Sequence, residues 1–162
     1  MHKSVYNLIQ IEKEIQSNII NLDTTTKSPK IIAVSKTHPM ASILPLINHG
    51  HLDFGENKVQ EAIDKWSDIK NKKNSMKLHL IGRLQTNKVK FALKIFDYIH
   101  SLDSEKLATK IANEQIKQEK KPKIFIHLTD NYKPTSGCVA LIKKDFEILL
   151  KLIDQKTKIK IG

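Results

Sequence analysis

Lys36 follows the apolar run Ile31-Ile32-Ala33-Val34 and Ser35, where a buried strand gives way to a loop. In α/β architectures ligands gather at that carboxyl end of the strands. A lysine amine there can add to an aldehyde and form a Schiff base, provided burial or a neighbouring cation leaves part of it unprotonated. The competing reading is a solvated loop lysine in a lysine-rich chain.

Two further strand ends carry polar residues of useful types. In Asp53-Phe54-Gly55-Glu56-Asn57, Gly55 lets the backbone approach a ligand, and Asn57 offers a donor and an acceptor that could orient a planar polar ring. The same residues also suit an ordinary strand-to-helix turn with Asn57 as N-cap. The next segments are His79-Leu80-Ile81-Gly82-Arg83-Leu84-Gln85-Thr86-Asn87-Lys88 and His100-Ser101-Leu102-Asp103. A histidine on an inward strand face is a base, a ligand or, most often, a satisfied core side chain.

Other chemistries find no support in the residue pattern. The seven histidines do not combine with Cys138 or the carboxylates at zinc-binding spacings. A single cysteine with no placed partner makes no nucleophilic dyad. Neither a Walker-type loop nor a G-x-G-x-x-G fingerprint is present.

These residues require strands to position them. Apolar runs at Ile31 to Val34, Leu52 to Gly55, Leu78 to Ile81, Tyr98 to Ser101, Ile124 to Leu128 and Ile159 to Ile161 read as strands buried on both faces. Helical patterns lie between them at Met40 to Asn48, Lys58 to Ile69, Asn87 to Phe96, Ser104 to Glu119 and Val139 to Asp154, with an amphipathic helix at the N-terminus. Gly50 suits a helix C-cap and Ser104 a helix N-cap. Pro45 implies a helix that starts later than Met40 or is kinked. Strands alternating with helices predict a parallel sheet, either open and doubly wound or part of a barrel.

The chain of 162 residues, 40% hydrophobic, predicts one domain. Its single cysteine fits a reducing compartment, and a cytoplasmic location is expected. The N-terminal segment lacks the continuous apolar stretch of an export signal, and no run approaches the roughly 20 residues needed to span a bilayer. No membrane association is expected. The formal net charge of +11 raises a basic nucleic-acid-binding module as one alternative. The charge is almost wholly lysine scattered over the predicted helices, and Arg83 is the single arginine, which argues against nucleic acid as a partner.

Taken in order, Ala33-Val34-Ser35-Lys36-Thr37, Asp53-Phe54-Gly55-Glu56-Asn57, Gln60-Glu61, His79 to Lys88 and His100-Ser101-Leu102-Asp103 closely resemble the pyridoxal phosphate homeostasis protein family. The resemblance is specific from about Ile31 to Asp103 and looser beyond. It implies a barrel like the N-terminal domain of alanine racemase, with pyridoxal 5'-phosphate held as a Schiff base on Lys36. Asn57 and the backbone around Ile81 and Gly82 are then expected near the cofactor ring. The implied role is a cofactor carrier in intracellular homeostasis, with no catalytic reaction, no metal, and recipient apo-enzymes as partners. Its departures are His127, where the family has an asparagine, and Lys133-Pro134-Thr135-Ser136-Gly137, which keeps a lysine and a glycine at altered spacing.

The expected fold is therefore α/β, an incomplete (β/α)8 TIM-type barrel with an N-terminal helix, about five β-α units and the start of a sixth strand, as one partial domain over residues 1–162. Such barrels run to roughly 250 residues and often bind phosphate with the loops after strands 7 and 8. The family's methionine- and serine-rich segment and its glycine-serine-threonine segment, which cradle the phosphate, have no counterpart here. Weak cofactor retention and self-association through unclosed barrel edges are expected from a C-terminally truncated chain. A racemase-like enzyme using the same lysine is the other alternative; it needs an acid-base pair across the ring, which is not recognisable here.

Overall fold

The computed structural model describes residues 1–21, 29–72, 75–118, 123–124, 127–128 and 140–141. Helix α1 (Lys3–Asn21) precedes strand β1 (Ala33–Val34), and β-α units follow: α2 (Met40–His49), β2 (Asp53–Glu56), α3 (Val59–Lys72), β3 (Lys77–Leu80), α4 (Val89–Ile95), β4 (Tyr98–Ile99) and α5 (Glu105–Gln118). A 3-10 turn, Thr86–Lys88, leads into α4. Short strands β5 (Lys123–Ile124), β6 (His127–Leu128) and β7 (Ala140–Leu141) come last.

Strands β1 to β5 form one sheet in sequence order, every pair parallel. A doubly wound sheet reverses its strand order at a switch point, whereas a β/α barrel adds each strand beside its predecessor. The order found is the barrel's. Strands β6 and β7 pair separately, also in parallel.

Alternation along the strands separates two faces. Phe54, Leu78, Leu80 and Ile99 are fully or almost fully buried and belong to one apolar cluster with Trp66 of α3, Val89 and Leu93 of α4, and Leu107 and Ile111 of α5. Phe54 and Trp66 rings lie 4.9 Å apart. Burial of this layer removes several large side chains from water, at roughly 1.5–3 kcal/mol each. The opposite face carries Asp53, His79, Tyr98 and His100, and Val34 on it is 49% exposed. Strands β2 and β3 are buried on both faces after their first residue, as their composition suggests, whereas β1 is not. Among the described residues β1 has a neighbour on one side only, and the second face carries polar side chains that pair with one another.

Caps fall where the residue types place them. Gly50 closes α2 with φ +99°, its N–H donating to the Ile47 and Leu46 carbonyls. Ser104 accepts the Leu107 N–H on its Oγ at 3.3 Å and opens α5. Helix α2 nevertheless starts at Met40 and continues past Pro45 to His49. Proline lies in its second turn and forgoes one backbone hydrogen bond, which the flanking turns tolerate.

One helix assignment is overturned at its start. Ala140 and Leu141 pair with His127 and Leu128 as a strand, not as the first turn of a helix from Val139 to Asp154. A short apolar run has no period that separates a buried strand from a buried helical turn. The remainder of that segment, the Lys133 to Gly137 stretch and the strand expected at Ile159 to Ile161 lie outside the described residues.

Candidate functional site

Register places the candidate residues. Val34 pairs with Gly55, Gly55 with His79, and His79 with Tyr98. Two residues beyond these paired positions stand Lys36, Asn57, Ile81 and His100, a row of positions just past the carboxyl ends of β1 to β4. The ladder reaches this row, because the Ser35 N–H donates to Gly55 O and the Ile81 N–H to Glu56 O, both at 2.9 Å. Lys36 is exposed, while Asn57, Ile81 and His100 are half-buried.

Gly82 joins the row by backbone. A Cβ built on it would meet the Asn57 carbonyl oxygen at 2.4 Å and the Asn57 Cα at 2.7 Å. Only glycine permits the turn after β3 to rest on the turn after β2 at this distance. The four residues drawn from the sequence as cofactor-binding, Lys36, Asn57, Ile81 and Gly82, therefore lie along three adjacent strand ends.

Below this row, Asp53 and His79 join His100 across β2 to β4. His79 Nε2 lies 2.9 Å from Asp53 Oδ1, and His79 Nδ1 lies 2.9 Å from His100 Nε2. A carboxylate only accepts, so Nε2 of His79 donates to Asp53 and Nδ1 accepts from His100. The His79 ring also stacks on Tyr98 at 4.3 Å and 5°. Burial holds the His79 imidazole below its ordinary pKa, against the opposing pull of the Asp53 carboxylate. Both ring nitrogens are bonded, the arrangement of a satisfied inward-facing histidine.

On the helix side of the sheet, Glu56 is fully buried. Its Oε1 accepts from Ser35 Oγ at 2.8 Å, Lys65 Nζ at 2.9 Å and Trp66 Nε1 at 3.0 Å. Lys65 reaches on to the Ser35 carbonyl at 3.0 Å and to Glu61 Oε1 at 3.2 Å. Glu61 Oε1 in turn accepts the Thr37 N–H at 3.0 Å, and this bond holds the Glu61 carboxyl below its ordinary pKa. The backbone on both sides of Lys36 is thereby tied to α3. The sequence pointed to Glu56 and Glu61 only as parts of matched segments, and Lys65 and Trp66 not at all. The i, i+4 spacing of Glu61 and Lys65 on a helix was the one available signal.

An exposed primary amine, a planar amide and an isoleucine thus follow three adjacent strand ends, with Gly82 set against the Asn57 backbone. Among the described residues no group of three or more His, Cys, Asp or Glu side chains could hold a metal ion, and no helix is long and apolar enough to cross a membrane.

Comparison with known proteins follows the same geometry. Residues 12–161 match the family described as the alanine racemase N-terminal domain. The chain is 38% identical over 116 residues to the pyridoxal phosphate homeostasis protein of Pasteurella multocida, covering 72% of this chain and 49% of that protein. It is 32% identical over 147 residues to the protein of the same name from Buchnera aphidicola, covering 91% and 63%. The chain thus spans about half to two thirds of the length of these curated relatives. Its structure is similar to that of PipY from Synechococcus elongatus, solved without and with PLP, at TM-scores of 0.70 and 0.67, with 32% and 33% identity, covering 91% of this chain and 67% of PipY in each case. An alanine racemase from Clostridium difficile shares the fold at a TM-score of 0.59 and 14% identity, covering 93% of this chain and 37% of the racemase.

Proposed function

Since the chain belongs to the alanine racemase N-terminal domain family, among the pyridoxal phosphate homeostasis proteins, we propose that it holds pyridoxal 5'-phosphate covalently through Lys36 and serves in the intracellular handling of that cofactor. The observation that carries the reading is the row Lys36, Asn57, Ile81 at three adjacent strand ends, closed by Gly82 against Asn57. PipY, at 33% identity, has been solved with PLP bound, which supports the choice of cofactor.

Lys36 would hold the cofactor, whose aldehyde would supply the electrophile for the lysine amine. In this reading Asn57 would orient the ring by its amide, and the backbone around Ile81 and Gly82 would lie near it. Gly82 lets that backbone approach closely. The role is that of a cytoplasmic carrier, with apo-enzymes as recipients and no substrate turnover, in keeping with the homeostasis role that its relatives' names carry.

Incubation of the chain with pyridoxal phosphate, borohydride reduction and peptide mapping test the reading. Label concentrated on Lys36, and lost in Lys36→Ala, is expected. Label spread evenly over the lysines sinks it. Racemisation of a free amino acid that disappears in Lys36→Ala would overturn the carrier role in favour of an enzyme.

A further inference from the structure

Lys36 occupies the second position of a tight turn. The His38 N–H donates to the Ser35 carbonyl at 3.2 Å, closing a four-residue turn in which Thr37 stands third with φ +64°. A positive φ at the third position alone marks a type II turn, where glycine or asparagine is favoured. Thr37 is β-branched, and among the described residues it is the one non-glycine residue with positive φ. Such a conformation persists only where surrounding structure enforces it, and it is concentrated at functional sites.

Contacts on both sides of Lys36 enforce it. Before Lys36, Ser35 is held by its N–H to Gly55, by its hydroxyl to Glu56 and by its carbonyl to Lys65. After Lys36, the Thr37 N–H is held by Glu61 Oε1 from the first turn of α3. Lys65 ties the two ends together, 2.9 Å from Glu56 and 3.2 Å from Glu61. Ser35 would stay anchored by the strand ladder without Glu61, whereas Thr37 would lose its bond to α3.

We propose that Glu61 is a positioning residue for Lys36, its carboxylate gripping the Thr37 N–H so that the turn stays in its strained form and presents Lys36 to the row with Asn57 and Ile81. This rests on the reading that Lys36 holds the cofactor. Glu61 acts through the turn and touches no reacting atom. The requirement is an acceptor oxygen at that place, since an N–H bonds an amide oxygen as well as a carboxylate.

The test compares labelling of Lys36 by pyridoxal phosphate and borohydride with the mean labelling of the other lysines in the same protein. Glu61→Ala is expected to lower that ratio by about tenfold, and Glu61→Gln to keep it within about twofold of the wild type, because loss of position rather than of charge is the cause. A general loss of structure would not be rescued by glutamine, and thermal melts of both variants separate the two. An unchanged ratio in Glu61→Ala overturns the proposal. Amide exchange of the unsubstituted chain decides the geometry without any variant: Thr37 should be protected, and exchange at the free-peptide rate overturns the grip. Even labelling of the lysines in the unsubstituted chain, with Thr37 protected, instead defeats the cofactor reading on which the proposal rests.

Discussion

The Gly82 backbone rests on that of Asn57, so closely that a Cβ on Gly82 would lie 2.4 Å from the Asn57 carbonyl oxygen. The obstacle is main chain, not a side chain that can rotate away. Gly82→Ala must therefore move one strand-end turn off the other. A loss of about 2–3 kcal/mol is expected in denaturant titration, together with reduced labelling of Lys36. Full stability in that variant would mean that the two turns are not in contact.

Gly50 provides the contrast. Its φ is +99° and a Cβ there would meet nothing within 4 Å. Gly50→Ala should cost about 1–2 kcal/mol through backbone strain alone, with Lys36 labelling unaltered. Equal effects of the two substitutions on labelling would remove the special standing of Gly82.

Lys65 supplies the cation beside the buried Glu56 carboxylate. Lys65→Met leaves that charge with only the Ser35 hydroxyl and the Trp66 N–H. Stranding one member of a buried pair costs about 3–5 kcal/mol, and urea unfolding followed by the fluorescence of Trp66 reads it directly. A loss under about 1 kcal/mol would show that the pair is far better hydrated than its burial implies.

Acid should weaken the fold from two starting points. Burial keeps the His79 pKa below 6.5 in the folded chain, so the unfolded chain takes up this proton first. The stability this provides is complete above 6.5 and declines as pH falls through the lower folded value. The Thr37 N–H keeps Glu61 below 4.5, so its contribution begins to fall only under that pH. His79→Gln should flatten the dependence that sets in below 6.5, and Glu61→Gln part of that which sets in below 4.5. Unfolding free energies measured against pH for the three proteins check both; identical slopes would dismiss the assignment.

Much of the architecture was legible because it rests on local signals. Ser104 has the oxygen that caps α5, Gly50 the freedom that ends α2, and the alternation of apolar runs with helical patterns marks the β-α units. The signals failed where they are degenerate, as at Ala140 and Leu141, whose apolar run carries no period of its own. Glu56 shows a different kind of failure. Nothing in a strand sequence tells that a carboxylate will be fully buried, because the cation and the indole that make this tolerable come from a helix nine and ten residues later.

By itself the sequence determined the residue types, the helix ends, the parallel β-α class and the family to which the segments from Ile31 to Asp103 point. Only the tertiary structure decided that Gly82 rests on Asn57, that Asp53, His79 and His100 join across three strands, and that the Thr37 N–H beside Lys36 bonds Glu61. The division is physical. Caps and periodicities act over a few residues, whereas register couples strands about twenty residues apart, and shifting it by one residue would send every one of these side chains to the opposite face.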